Sequence, residues 1–249
     1  MSAVTTARES ELQASLAAVR ARLERAAADA GRNAGEIELL PVTKFFPASD
    51  VLLLHRMGCT EFGESREQEA SGKAAEVAAE LGGQAVRWHM VGRIQRNKVR
   101  GIADWAHSAH SVDDLRVADG LDRAVGRALD DGRRAEPLQV FLQISLDGDA
   151  GRSGVDVRRP DLVDELADAI DAAAGLRLVG LMGIPPLDAD PAAAFARLAA
   201  ERERIQQRYP QRIGLSAGMS GDLEVAVRHG STCVRVGTGL LGQRPLTSP

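Results

Sequence analysis

The chain has 249 residues, 44% hydrophobic and 27% charged, with a formal net charge of -4. That mixture suits a globular protein of one large or two small domains, and the weakly acidic balance leaves no electrostatic footprint for nucleic acid. No apolar run reaches the length of a membrane span, "MSAVTTARESELQ" lacks the apolar core of a signal peptide, and Cys59 and Cys233 make no disulfide scaffold, so a reducing, cytoplasmic setting is expected.

From Ser10 to Ala30 the apolar positions Leu12, Leu16, Val19 and Leu23 step by four, three and four, which predicts a helix ended by Gly31. "IELLPV" (37–42) predicts a strand and "SDVLLLHRMG" (49–58) a helix. "CTEFGE" (59–64) is strand-like, and 67–82 is an alanine-rich helix. "VRWHMVG" (86–92) is a third strand, followed by a short helix near "IQRNKVRGI" and a brief strand "WAHS" (105–108). A long helix is expected over 112–132 and the clearest strand, "LQVFLQISL", over 138–146. Then come a helix (161–175), a strand (176–183) and a helix (190–209) with Pro191 in its first turn. The last elements are a strand (212–216), a helix (221–230) and a strand (233–237).

Eight strands alternating with helices imply parallel strands joined by helical crossovers. In about 250 residues this predicts one (β/α)8 TIM barrel with an extra N-terminal helix, a single domain over 1–249 with its core at about 10–245. An open doubly wound sheet would carry glycines after its first strand, but that turn reads "TKFFPAS". Active residues of a barrel sit where strands end. The chain has only three lysines, Lys44, Lys73 and Lys98, and Lys44 ends the first strand. The glycine- and hydroxyl-rich "LSAGMSGD" and "RVGTG" follow the seventh and eighth strands, where barrels often bind phosphate. Lysine, unlike arginine, can lose its proton and act as a nucleophile. A Schiff-base lysine beside a phosphate cradle suggests pyridoxal 5'-phosphate (PLP).

"LLPVTK", "FGESREQEA", "WHMVGRIQRNK", "LQISLDGDAGRSGV", "GLMGIPP", "LSAGMSGDLEVAVRHGST" and "VRVGTGLLG" together resemble the YggS/PROSC family, the pyridoxal phosphate homeostasis proteins. Their barrel is similar to the N-terminal domain of alanine racemase, and the resemblance runs from about Leu12 to Pro245. It implies PLP on Lys44, a phosphate held by Ser216, Gly237 and Thr238, Arg235 at the pyridine nitrogen, and Met219 and Ser220 among the cofactor-binding residues. Ser65 stands where the family usually has asparagine; it should face Lys44, or else cap the next helix. The resemblance also implies a role in vitamin B6 and amino-acid balance, with PLP held and delivered or buffered. Apo PLP-dependent enzymes are the implied recipients, and a monomer is expected rather than an obligate oligomer.

Bland readings stand beside these. Lys98 on a polar turn reads as solvated, or as a secondary PLP contact through the resemblance. Trp88 and Trp105 read as packing residues. His107 and His110 would face opposite sides of a strand, so no metal site is expected. His229 suits a helix C-terminus. A racemase needs a second base, and the sole tyrosine, Tyr209, should lie at the far end of the barrel. No catalytic residue is assigned, and a PLP carrier is favoured over a PLP-dependent racemase, lyase or decarboxylase.

Overall fold

The computed structural model describes residues 3–149, 151–211 and 214–244. The chain runs α1 (Ala3–Asp29), β1 (Glu38–Pro41), α2 (Ala48–Arg56), β2 (Glu61–Glu64), α3 (Glu67–Leu81), β3 (Arg87–Met90), α4 (Val99–Trp105), β4 (Ala106–Val112) and α5 (Leu115–Asp130). It continues through β5 (Leu138–Ser145), β6 (Val155–Asp156), α6 (Pro160–Ala172), β7 (Leu176–Gly183), α7 (Pro191–Arg208), β8 (Gly214–Ser216), α8 (Leu223–Arg228), β9 (Cys233–Val236) and α9 (Thr238–Leu241).

The strands pair in parallel in the order β1-β9-β8-β7-β5-β4-β3-β2, and β6 is a two-residue stub on β5. The ring is completed between β1 and β2 by one bridge, Val42 to Gly63, where the Thr43 N–H donates to Gly63 O at 2.9 Å. This is the expected eight-stranded βα barrel. Because of the stub, the seventh and eighth predicted strands are β8 and β9.

Local signals explain the helices around it. In α5, Val117, Leu121 and Val125 recur every four residues and are buried, and the Asp114 carboxylate accepts from the Arg116 and Val117 N–H groups. In α7, Asp190 caps in the same way and Pro191 opens the first turn. Leu12, Leu16, Val19 and Leu23 form the buried face of α1, which lies against α2, α8 and α9. The helix after β9 is only four residues long, so α1 takes the place of the eighth outer helix.

Some boundaries differ from expectation. α1 starts at Ala3 instead of Ser10, β2 starts at Glu61, beyond Cys59, and α9 was not foreseen. The fourth strand runs to Val112, and its helix begins only after the Asp114 cap. Arg212 and Ile213, expected to open the seventh strand, and Pro245 lie outside the described residues. Cys59 and Cys233 are both free and buried.

Candidate functional site

Lys44 leaves the end of β1 on a backbone pinned from both sides. The buried Lys73 ammonium donates to Thr43 O at 2.9 Å and to Glu64 Oε1 at 2.6 Å. Thr43 Oγ1 donates to the same Glu64 oxygen at 2.7 Å, and Glu69 Oε1 accepts from the Phe45 N–H at 2.6 Å. Burial pushes the Glu64 carboxyl up, although Lys73 and Thr43 oppose the shift. Phe45 has φ 70°, and no other non-glycine residue described here has positive φ. Such backbone is sparsely allowed, and the surrounding clamp is what can hold it.

The three lysines keep different company. Lys73 is committed to Glu64 and Glu69, and Lys98 Nζ lies 3.4 Å from Glu67. Lys44 is exposed, with no hydrogen bond or carboxylate partner among the described residues; its amine lies 5.8 Å from the Phe45 ring centroid. Arg66 and Arg244 also approach that ring, at 5.0 and 4.1 Å, and neither has an ion-pair partner among the described residues. The mouth around Lys44 thus gathers positive charge suited to an anionic ligand.

The turn after β9 meets the loop after β8 beside this lysine. β9 pairs with β1, and Val42 N–H donates to Val236 O at 2.9 Å. Ser220 Oγ accepts from the Gly239 N–H at 3.0 Å, which leaves its hydroxyl proton free to donate outward. Thr238 is exposed and opens α9, so its N–H has no acceptor within that helix. Met219 is exposed at the loop tip. These groups lie together where the two loops meet. Ser216 does not join them: it is fully buried one layer below.

Ser65 lines a cavity of about 860 Å³ with Phe45, Arg66, Met90, Arg93 and Lys98, whereas Lys44 lies outside that lining. The residue before α3 is Arg66, with no side-chain cap, and the Ser65 hydroxyl has no partner among the described residues. The capping alternative for Ser65 therefore fails. Its position is set by Gly92, where a Cβ would fall 2.2 Å from Ser65 O.

Beneath the mouth, side chains form a buried polar line across the barrel. Arg235, 5% exposed, donates through Nη1 to Ser216 Oγ and through Nη2 to Gly183 O at 3.3 Å. Burial lowers its pKa, yet a guanidinium stays charged. Ser216 Oγ lies 2.8 Å from His110 Nδ1, His110 Nε2 lies 3.0 Å from His89 Nδ1, and His89 Nε2 lies 2.8 Å from Glu61 Oε2. Burial alone would raise the Glu61 pKa, but bonds from His89 and Arg87 outweigh it and hold it at about 2.

The expectation that His107 and His110 point apart needs correction. Register shifts in the β3–β4 and β4–β5 pairings bring both rings to His89, at 6.0 and 5.2 Å. Glu38, Glu61 and His89 also approach closely, but the His89 nitrogen in that group is hydrogen-bonded to Glu61, which Arg87 also pairs. It reads as an ion-pair cluster. Glu61, His89 and the role of His110 were missed in the sequence, though polar residues inside "TEFGE" and "VRWHM" were a usable signal. Trp88 is buried core, 5.8 Å from the Phe62 ring, and His229 caps α8.

Fold and site define a parallel βα barrel with an unpaired lysine after its first strand and a hydroxyl- and glycine-rich turn beside it. Residues 14–245 match the family model described as alanine racemase, N-terminal domain. The pyridoxal phosphate homeostasis protein of Mycobacterium tuberculosis is 62% identical over 248 residues, covering 97% of this chain and 96% of that one. Its Escherichia coli counterpart is 37% identical over 234 residues, covering 92% and 95%. The solved structure of PipY from Synechococcus elongatus with PLP bound has a TM-score of 0.74 at 33% identity, covering 88% of this chain and 99% of that one. Alanine racemase from Corynebacterium glutamicum shares the fold, with a TM-score of 0.67 at 15% identity, covering 92% and 60%. The chain belongs to the pyridoxal phosphate homeostasis protein family, built on the barrel of the alanine racemase N-terminal domain.

Proposed function

We propose that this protein binds PLP at the mouth of its barrel, on Lys44, and serves vitamin B6 and amino-acid homeostasis by buffering the cofactor or delivering it to apo-enzymes. One observation carries the reading: of three lysines, Lys44 alone has an amine free of any carboxylate among the described residues. The donor set fits a phosphorylated aldehyde. Ser220, Thr238 and the turn at Gly237 offer hydroxyl and N–H donors to the phosphate, with Met219 beside them. Arg235 offers an N–H to the ring nitrogen, and Ser216 holds Arg235 from below. Ser65 faces the ligand from the β2 side.

PLP supplies an aldehyde that condenses with an amine, releasing water, and a ring that can accept electrons. Arg235 cannot share a proton with that ring, which suits holding over demanding carbanion chemistry. Tyr209 ends α7, away from the mouth, with its hydroxyl on Asp168. The reading places the protein in the cytoplasm as a monomer; among the described residues no helix is long and apolar enough to cross a membrane.

The test is an absorbance spectrum with and without PLP, then borohydride reduction and peptide mapping. A yellow protein whose reduced label maps to Lys44, lost in a folded Lys44→Ala variant, is expected. Label mapped mainly to Lys73 or Lys98 would refute the assignment.

A further inference from the structure

The buried line from Arg235 to Glu61 has a fixed direction. Arg235 can only donate, and the ionised Glu61 can only accept. The groups between must each accept from one side and donate to the other. Arg235 Nη1–H therefore donates to Ser216 Oγ, and the Ser216 hydroxyl donates to His110 Nδ1. His110 Nε2–H then donates to His89 Nδ1, and His89 Nε2–H donates to Glu61. With both histidines neutral, each carries its proton on Nε2. His110 is fully buried and His89 is 3% exposed, so neither can turn to water instead. β4 and β8 are not neighbours in the sheet, so the His110–Ser216 bond spans the lumen.

We propose that His89 and His110 are positioning residues of the ligand site: with Ser216 they form a one-way hydrogen-bond chain across the lumen that fixes Arg235, and an added proton reverses the chain and loosens the ligand. The role rests on the PLP reading above; the chain itself does not. Of the two rings, His89 is the one with carboxylates beside it: it faces Glu38, Glu61, His107 and His110, with Arg87 behind Glu61. A doubly protonated His89 donates Nδ1–H to His110 Nε2. His110 must then carry its proton on Nδ1 and donate to Ser216 Oγ. The Ser216 hydroxyl loses its acceptor and has only a weak one, the Cys233 sulfur, in reach. Arg235 then shares Ser216 with a second donor and faces an added positive charge. Among the described residues, His89 and Arg235 are the titratable groups that act on His110, and its ring lies tilted at 4.4 Å from the Phe141 ring.

The experiment pairs two readouts. Histidine side-chain 15N NMR on the ligand-free protein should show Nε2–H tautomers for His89 and His110 at neutral pH. PLP release from the holo-protein, followed by absorbance across pH 5 to 9, should quicken on the acid side by on the order of fivefold, the worth of one hydrogen bond. In His110→Phe the release should be fast at neutral pH and flat with pH. His110→Gln can accept from Ser216 and donate to His89, and its amide can turn over when His89 gains a proton; it should restore slow neutral release and keep the acid quickening. Melting of the ligand-free variants confirms that they are folded. An Nδ1–H tautomer at either histidine, or acid quickening unchanged in His110→Phe, overturns the chain. A wild-type protein that takes up no PLP overturns the proposed function and this role together, whatever the tautomers.

Discussion

The buried ammonium of Lys73 answers a carboxylate, Glu64, whose side chain is wholly inaccessible and whose Oε2 has no partner. Removing one member of such a pair strands the other charge. Lys73→Met should therefore cost about 3–5 kcal/mol at neutral pH. The sign of its pH dependence follows from Glu64. Burial already raises this carboxyl, and without Lys73 it rises further, so it takes up a proton as pH falls and the penalty shrinks. Urea unfolding at pH 8 and pH 5 should show a smaller gap from wild type at pH 5; an equal gap would mean that Glu64 does not titrate. Ser65 makes the opposite kind of site: no described residue bonds to its hydroxyl. Ser65→Asn adds a longer amide facing the cavity, so PLP release should slow several-fold, about one hydrogen bond, with the melting temperature of the ligand-free protein unchanged. Unchanged release would remove Ser65 from the ligand site.

At the scale of elements, β7 and β8 come together through a pair of glycines. Gly180 pairs with Gly214, and a Cβ on Gly180 would lie 2.0 Å from Gly214 O, against backbone that cannot swing aside. Gly180→Ala must push β8 outward, and β8 carries Ser216. A loss of about 1–3 kcal/mol and weaker PLP binding are expected. Gly72→Ala, on an open face of α3 with nothing within 4 Å, should stabilise by about 0.5–1 kcal/mol and leave binding unchanged. If both variants behaved alike, the close approach would not matter. The same elements show what could be read in advance. Strands such as Leu138–Ser145 and Leu176–Gly183 were legible because they are apolar runs between strongly patterned helices. β4 was cut short because "HSAHSV" is polar: His110 belongs to the lumen chain, His107 approaches the His89 ring and Ser111 donates to Gly92 O. Lys44 stood out through the rarity of lysine. The chain did not, because its five members are spread over 175 positions from Glu61 to Arg235 and meet only when the barrel closes.

Across the whole molecule, the barrel is held unevenly. β1 and β9 pair at four positions, as do β2 and β3, whereas β8 and β9 share one pair and β1 and β2 one bridge. The Lys73 clamp, tied to Thr43 and Glu64, reinforces this seam, and Lys44 stands directly above it. A ligand held by Lys44 after β1, Ser65 after β2 and Thr238 after β9 would span the β1–β2 joint. Thr43 and Leu142 are both fully buried, so burial alone predicts equal protection of their amides from exchange. The seam predicts otherwise. In the ligand-free protein the Thr43 amide, which donates to Gly63, should exchange through local opening, well before Leu142 in the continuous β5–β7 ladder. PLP at 100 times its dissociation constant should raise global stability by about 2.7 kcal/mol through mass action. Leu142 should gain no more than that amount. Thr43 should gain the same amount if the opened seam binds no ligand, and less if the opened seam still binds it. Hydrogen exchange read by NMR with and without PLP decides it. Thr43 as well protected as Leu142 before PLP is added would mean that the single bridge and its clamp already close the barrel as firmly as a full strand pair.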